Sequence, residues 1–213
     1  MTATNAPGAA PQALSSRELD ALQEVANIGA AHAATALSTM LGARIMISVP
    51  QVHVMPLQDV PPVVSSQEEP VVAVLLQMLG DLTGRTLLVF PSVVAARLAG
   101  LLTQRDPGSD DRLDSLGESA ISEVGNILSS AYMTALSEFL GMMLLPSPPT
   151  LTMDSSARVV VAAHQQSGSR SNQVFCVESE LRLTEIGERL RGFFLLLPDD
   201  ASLNVMLRTI RTM

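Results

Sequence analysis

A glutamate and an asparagine stand three residues apart at two places in the chain, as Glu24 with Asn27 and as Glu123 with Asn126. Residues three apart lie on one face of a helix, so in a helix each pair presents a carboxylate beside a carboxamide. An amide both donates and accepts hydrogen bonds and is therefore able to hold a water molecule in line for attack. GTPases use a glutamine in this way during phosphoryl hydrolysis, where positioning does most of the work. Each pair indicates a water-positioning site that has no nucleophile of its own.

The two pairs belong to an internal duplication. A shift of 99 residues aligns residues 20–50 with residues 119–149 without a gap, and 13 of the 31 positions are identical. Residues 88–91 correspond to residues 195–198 at an offset of 107, so the second half has gained eight residues. A duplicated sequence predicts two similar halves that are related by an approximate twofold axis.

Each pair belongs to a narrow polar stripe along its predicted helix, which also has a simpler interpretation. The stripe contains Asp20, Glu24, Asn27, Ala31 and Ser38 in the first helix and Ser119, Glu123, Asn126, Ser130 and Ser137 in the second. Every amphipathic helix needs a solvated side, and glutamate and asparagine are ordinary surface residues. Two features favour a function instead. The stripe lacks the Lys and Arg partners of a solubilising face, and both halves keep an asparagine although it is a mediocre helix former. Packing alone does not require an exposed Glu/Asn pair, so the repetition favours a function over a merely solvated scaffold.

Composition limits the classes of function. The 213 residues are 47% hydrophobic and 16% charged, which is typical of a globular protein. The net charge of -8 and the absence of Lys argue against a nucleic-acid partner, which needs several phosphate-neutralising cations. The longest apolar stretch, residues 71–90, is interrupted by Asp81 and Arg85, so we expect no membrane span. Without a signal peptide in residues 1–16, a cytoplasmic location is expected.

Other kinds of site find little support. The single Cys176 excludes an internal disulfide, and its strand-like surroundings predict a buried, inert thiol. The histidines lack the spacing of metal ligands and stand at His32, His53 and His164. Residues 165–169 contain one glycine and suggest a hairpin turn, not a phosphate-binding loop. We therefore expect no cofactor of the chain's own, so any metal and any phosphate-neutralising group would come with a protein substrate.

Capping residues and periodicity predict the elements that position the two pairs. Each long helix is expected to begin at a capping box and to stop at a glycine, namely Ser15/Glu18 to Gly42 and Ser115/Glu118 to Gly141. Strands are predicted at residues 44–54, 71–79, 85–90, 151–153, 159–163, 174–183 and 193–197. Shorter helices are predicted at residues 92–102 and 200–210.

These elements predict an α+β fold in two layers. Its two pseudo-twofold-related halves each contain a long helix, about three strands and a short helix. We expect a disordered tail over residues 1–16, followed by one continuous domain over residues 17–213. Within that domain, the linker 104–114 joins a first repeat, residues 17–103, to a second repeat, residues 115–213.

The spacing Asp/Ser-x3-Glu-x2-Asn-x22-Pro resembles the signature of the CheC/CheX/FliY phosphatases of bacterial and archaeal chemotaxis. Both copies match it at every position, as Asp20, Glu24, Asn27 and Pro50 and again as Ser119, Glu123, Asn126 and Pro149. The resemblance covers essentially the whole chain after the N-terminal tail. Two motifs without an appended domain favour the CheC type within this family.

The resemblance implies a phosphatase that acts on phosphorylated CheY, the response regulator that signals to the flagellar motor. It implies that Asn27 and Asn126 place the attacking water at the aspartyl phosphate, and that Glu24 and Glu123 dock the active-site Lys of the regulator. The Mg²⁺ is expected to come with the regulator. CheD, a receptor-modifying deamidase, is implied as a further candidate partner. The alternative is a binding module without catalysis, which sequesters phosphorylated CheY or CheD.

Overall fold

The computed structural model describes residues 14–65, 69–104, 113–183 and 187–212. Most of the predicted tail and most of the predicted linker lie outside these residues. Six α-helices are described, namely α1 (Ser16–Leu41), α2 (Val60–Val64), α3 (Ser92–Thr103), α4 (Ser115–Leu140), α5 (Ser156–Ser167) and α6 (Asp200–Thr212). The eight described strands are β1 (Ile45–Ile47), β2 (Gln51–Pro56), β3 (Pro70–Gly80), β4 (Gly84–Pro91), β5 (Leu144–Pro146), β6 (Thr150–Ser155), β7 (Gln173–Leu183) and β8 (Glu188–Pro198).

The two long helices, α1 and α4, have the predicted lengths, but only one has the predicted cap. At α1 the Ser15 hydroxyl accepts from the backbone N–H of Glu18, and the Glu18 carboxylate accepts from the N–H of Ser15. At α4 the prediction of a Ser115 cap is wrong. Asp114 stands one residue earlier and accepts from the N–H of Gly117 at 2.7 Å, as an aspartate N-cap does. Both helices end at the predicted left-handed glycine.

The strands form one antiparallel sheet in the order β1-β7-β8-β4-β3-β5, in which β2 also pairs with β7 and β6 also pairs with β3. The central pair, β4 with β8, joins the two halves. On either side of it the pairings repeat in mirror order, as the predicted twofold relation requires. The edge strands are exchanged, because β2 of the first half pairs with β7 of the second and β6 of the second half pairs with β3 of the first.

Alternating residues of the sheet feed two apolar cores. The larger core lies between one face of the sheet and helices α1, α3, α4 and α6. The smaller core lies on the opposite face, beneath α2 and α5. Cys176 is fully buried in this smaller core, and burial raises the pKa of its thiol to about 12. The predicted α+β class and the predicted burial of the thiol are confirmed, while α2 and α5 add a partial third layer.

The prediction of a strand at residues 159–163 is wrong, because this segment lies in α5. Its β-branched residues favour a strand by propensity. Val159, Val160 and Ala163 are nevertheless buried together, at the spacing of one helix face, against the smaller core. Residues 165–169 are accordingly the end of this helix and its left-handed Gly168 cap, not a hairpin turn.

The predicted strand at residues 44–54 is two strands, β1 and β2, and the short elements α2 and β5 were not predicted. The gain of eight residues in the second half has two sources. The offset between the halves is 99 at the start of β2 and β6, 103 at the start of β3 and β7, and 107 at the end of β4 and β8. Four residues are therefore gained around α5, and four in the β7–β8 hairpin. Within the described chain, no helix combines the length and the apolar character needed to cross a membrane.

The N-terminus of α1 is tied to the C-terminal helix through one buried carboxylate. Glu18 is only 3% exposed and accepts from the hydroxyl and the N–H of Ser15, each at 2.7 Å. Its other oxygen accepts from Nε of Arg211 on α6 at 2.7 Å. The hydrogen bonds from Ser15, followed by those from Arg211, lower the pKa of Glu18. Arg211 is half exposed, so its ion pair adds little stability.

We predict that Glu18→Gln lowers the free energy of unfolding by about 1 kcal/mol at pH 7, the usual difference between charge-assisted and neutral hydrogen bonds. Because the pKa of Glu18 is lower in the folded state, its contribution is complete above the unfolded pKa and is lost as the pH falls through the folded pKa. Urea denaturation at pH 7 and at pH 3 should show the difference from wild type shrinking. The control is Glu118→Gln in the exposed first turn of α4. An equal effect of the two variants, or no pH dependence, would contradict the assignment.

Candidate functional site

The structure places both predicted pairs at equivalent positions on the two long helices. Glu24 and Asn27 lie on α1, and Glu123 and Asn126 lie on α4. Both glutamates are exposed and both asparagines are half-buried. Among the described residues, neither glutamate has an ion pair or a side-chain hydrogen bond. Each site therefore offers an uncompensated carboxylate one helical turn before a carboxamide.

The signature prolines stand where each helix meets an exchanged edge strand. Pro50 directly precedes β2, and Pro149 directly precedes β6. Just before each proline a serine anchors the backbone to a strand of the other half. Ser48 exchanges two hydrogen bonds with Glu180 of β7, at 2.9 and 3.1 Å. Ser147 does the same with Gln77 of β3, at 3.0 and 2.9 Å. The position of each proline is therefore fixed by the opposite half.

Structural roles account for most of the other duplicated residues. The Ser38 hydroxyl accepts from the N–H of Ile45 at 3.0 Å, and the Ser137 hydroxyl donates to the carbonyl of Met142, so each ties its helix to the following segment. Val25, Leu37 and their counterparts Val124 and Leu136 are buried in the larger core. The Glu/Asn pairs have no such internal task for their carboxylates, which strengthens the functional interpretation of the repeat.

The first site contains a residue that the sequence did not single out. The side-chain Nε2 of Gln23 donates to the backbone carbonyl of Pro50 at 2.7 Å and to Oδ1 of Asn27 at 3.3 Å. Gln23 thus links the asparagine of α1 to the start of β2. The available signal was its position four residues before Asn27, which places the two amides side by side on a helix.

The second site has a different surface at the corresponding place. Ser122 occupies the position equivalent to Gln23, and no hydrogen bond of the Asn126 carboxamide is found among the described residues. A shallow groove, open to solvent, runs there between α4 and β6. It is lined by Glu118, Ser119, Ser122, Glu123, Pro149, Leu151, Thr152 and Met153. Glu123 and two further signature residues, Ser119 and Pro149, are thus collected on one accessible surface.

The strands that follow the two sites, β2 and β6, lie at opposite edges of the sheet. Going from β2 to β6 across the sheet takes five strand-to-strand steps, through β7, β8, β4 and β3. Different elements therefore form the two sites, α1 with β2 and α4 with β6. Each site therefore has its own surface for a macromolecular partner.

The described side chains supply hydrogen-bonding and negative groups at these surfaces. Within the described part of the chain, no group of three or more His, Cys, Asp or Glu side chains is placed to hold a metal ion. His164 lies on α5, away from both sites, and its Nε2 donates to the backbone carbonyl of Ser171 at 2.7 Å. At each site the chain itself is able to orient a water molecule through an amide and to attract a cation through a carboxylate.

The CheC-like family model matches residues 18–54 and 116–153, the two segments that carry both pairs and both prolines. Both copies of the duplicated segment are thus similar to the CheC-like family. The matched segments coincide with the duplicated helices, α1 and α4, and with the strands that follow them.

Similar proteins cover most of the chain. It is 28% identical over 184 residues to the CheY-P phosphatase CheC of Bacillus subtilis, a match that covers 85% of this chain and 88% of that protein. It is 32% identical over 141 residues to the flagellar motor switch phosphatase FliY of the same organism, where 66% of this chain matches only 36% of the relative. The crystal structure of Thermotoga maritima FliY has the same fold, with a TM-score of 0.76 and 24% identity over 93% of this chain and 98% of that one.

Close packing beneath the second site depends on Gly125, the residue next to Asn126. A Cβ at this position would lie 2.5 Å from Cβ of Val74 on β3, far inside normal contact distance. The glycine therefore lets α4 sit directly on the strand that also holds β6. The equivalent position in α1 is Ala26, so this close approach is particular to the second site.

We predict that Gly125→Ala lowers the free energy of unfolding by about 1–3 kcal/mol, because overpacking outweighs the gain in helix propensity. Adding Val74→Ala should recover part of the loss, since the two residues share one contact. Chemical denaturation of both single variants and the double variant measures this coupling. Gly125→Ala with wild-type stability or better would contradict the packing assigned to α4.

Proposed function

We propose that the chain is a phosphatase of phosphorylated CheY with two pseudo-symmetric sites, one on α1 and one on α4. The observation that carries the proposal is the duplicated Glu/Asn pair, exposed at equivalent positions without an internal partner for either carboxylate. The name of the CheC relative from Bacillus subtilis supports the choice of substrate. Because β2 and β6 lie at opposite edges of the sheet, each surface is proposed to bind its own regulator.

In the proposed reaction, the carboxamide of Asn27 or Asn126 holds a water molecule in line with the aspartyl phosphate. The water oxygen forms a bond to phosphorus while the bond from phosphorus to the aspartyl oxygen breaks. The electron pair of that bond returns to the aspartate as a carboxylate, and the attacking water becomes a hydroxyl group of inorganic phosphate as its other proton passes to bulk water. The chain contributes positioning, which is the main catalytic lever in phosphoryl transfer.

The carboxylates of Glu24 and Glu123 have the proposed role of docking the regulator's active-site Lys. An exposed carboxylate without a neighbouring cation is available for a partner's ammonium group, and such charge pairing favours the correct register of a complex. Mg²⁺ is proposed to arrive with the regulator, where it neutralises charge on the phosphoryl group. The prediction that CheD also binds stays a prediction, because no described residue is connected with it.

We predict that Asn27→Ala combined with Asn126→Ala slows the accelerated dephosphorylation of CheY by about 100-fold, the usual cost of removing a preorganised hydrogen-bonding group. Each single variant should retain the activity of the other site. The measurement is the loss of radiolabel from phosphorylated CheY. Asn204→Ala on the exposed side of α6 is a matched control, since the side chain of Asn204 donates a hydrogen bond to Asp200 of its own helix.

Folding of the double variant is checked by circular dichroism and by its unfolding midpoint, because both asparagines are partly exposed and their loss should leave the fold intact. Full activity in a folded double variant would overturn the proposal. The binding-module alternative predicts instead that wild-type protein binds phosphorylated CheY and leaves its dephosphorylation rate unchanged. A chain that neither binds phosphorylated CheY nor accelerates its dephosphorylation would show that the polar stripes are merely solvated helix faces.

A further inference from the structure

The side chain of Gln23 connects helix α1 to the residue before β2, and its hydrogen bonds determine how the carboxamide of Asn27 is oriented. Its Nε2 lies 2.7 Å from the Pro50 carbonyl oxygen and 3.3 Å from Oδ1 of Asn27. Gln23 and Asn27 are both half-buried, and Pro50 is buried. The contact to Pro50 is thus partly shielded from competing water.

A backbone carbonyl can only accept a hydrogen bond. The group of Gln23 that faces Pro50 must therefore be its NH2 group, which fixes the orientation of the Gln23 amide. The second hydrogen of the same NH2 group then faces Asn27, so Asn27 must present an acceptor, Oδ1. The Pro50 carbonyl therefore orients the amide of Gln23, and the amide of Gln23 in turn orients the carboxamide of Asn27.

We propose that Gln23 is a positioning residue that turns the Nδ2 amino group of Asn27 toward the docked regulator. This inference rests on the proposed phosphatase function and specifies which end of the carboxamide acts in the first site. With Oδ1 held by Gln23, both Nδ2 hydrogens are available to donate to the attacking water or to a phosphoryl oxygen. A carboxamide that is already oriented loses less freedom on reaching the reactive geometry.

The second site lacks this device. Its equivalent residue, Ser122, is too short to contact both an amide four residues away and the backbone at Pro149. Asn126 has no hydrogen bond to a described residue, so its carboxamide is free to present either end. The two sites of one chain are therefore expected to differ in how strongly they respond to changes at this one position.

The test uses the full chain with Asn126→Ala, so that only the first site is active. Gln23→Glu keeps the size of the side chain but removes the NH2 group, and the carboxylate accepts from Nδ2 of Asn27 and turns Oδ1 outward. The turnover number kcat on phosphorylated CheY should fall by about 100-fold, the scale of a misplaced catalytic group, with KM changed by less than about threefold. Gln23→Ser, which reproduces the second site, should lower kcat by about tenfold or less, because the released amide still samples the productive orientation.

Leu19→Glu is the control for added charge. Leu19 is 37% exposed on the same helix, and glutamate is the residue at the equivalent position of α4, Glu118. This variant should leave kcat unchanged. Equal losses of kcat for Gln23→Glu and Gln23→Ser, no loss of kcat in Gln23→Glu, or a loss expressed only in KM would each overturn the proposed role of Gln23.

A second readout does not depend on catalysis. In ¹⁵N-labelled protein, the side-chain NH2 resonances of Asn27 should shift on Gln23→Ser, and those of Asn126 should not. Unmoved Asn27 resonances would overturn the bridge itself. In the same Asn126→Ala background, Asn27→Ala distinguishes failure of the proposed phosphatase function from failure of the role proposed for Gln23. Full activity of that variant would contradict the phosphatase function. Lost activity, together with a kcat that does not respond to substitution of Gln23, would contradict only the role of Gln23.

Discussion

The exchange of edge strands between the two halves is the constraint on which both sites depend. β2 completes the sheet of the second half through β7, and β6 completes that of the first half through β3. Each signature proline is held by a serine that is anchored on the opposite half, Ser48 on Glu180 and Ser147 on Gln77. Each half therefore carries the signature residues of one site, while the opposite half fixes the position of the proline at that site.

Because of the duplication, each site consists of a long helix and the exchanged edge strand that follows it. Local substitutions have made the two sites different. In the first site Gln23 connects Asn27 to Pro50, whereas in the second site Ser122 leaves an open groove. Packing beneath the sites differs too, since Gly125 lets α4 approach Val74 more closely than any side chain would allow. The carboxylates and carboxamides themselves are unchanged, which is the pattern expected when one chemistry is retained while the support around it varies.

The sequence was sufficient to predict the long helices, the four central strands and the placement of the Glu/Asn pairs on the two long helices, because strong periodicity, a capping box and stop glycines act locally. It failed where tertiary packing overrides propensity. The β-branched run at residues 159–163 is helical because one of its faces covers the smaller core. The partners of β2 and β6 were not predictable either, since nothing local specifies which distant strand an edge strand joins. The role of Gln23 needed the position of Pro50, which only the folded chain reveals.

The proposed phosphatase presents one carboxylate and one carboxamide to each of two partners and takes the remaining chemistry from them. The most direct measurement is the number of CheY molecules, activated with beryllofluoride and Mg²⁺, that bind one chain in native mass spectrometry. We predict two for the wild type, one after Glu24→Ala or Glu123→Ala, and none when both are replaced. Binding that is unchanged in the double variant would contradict the assignment of the two surfaces as sites for the regulator.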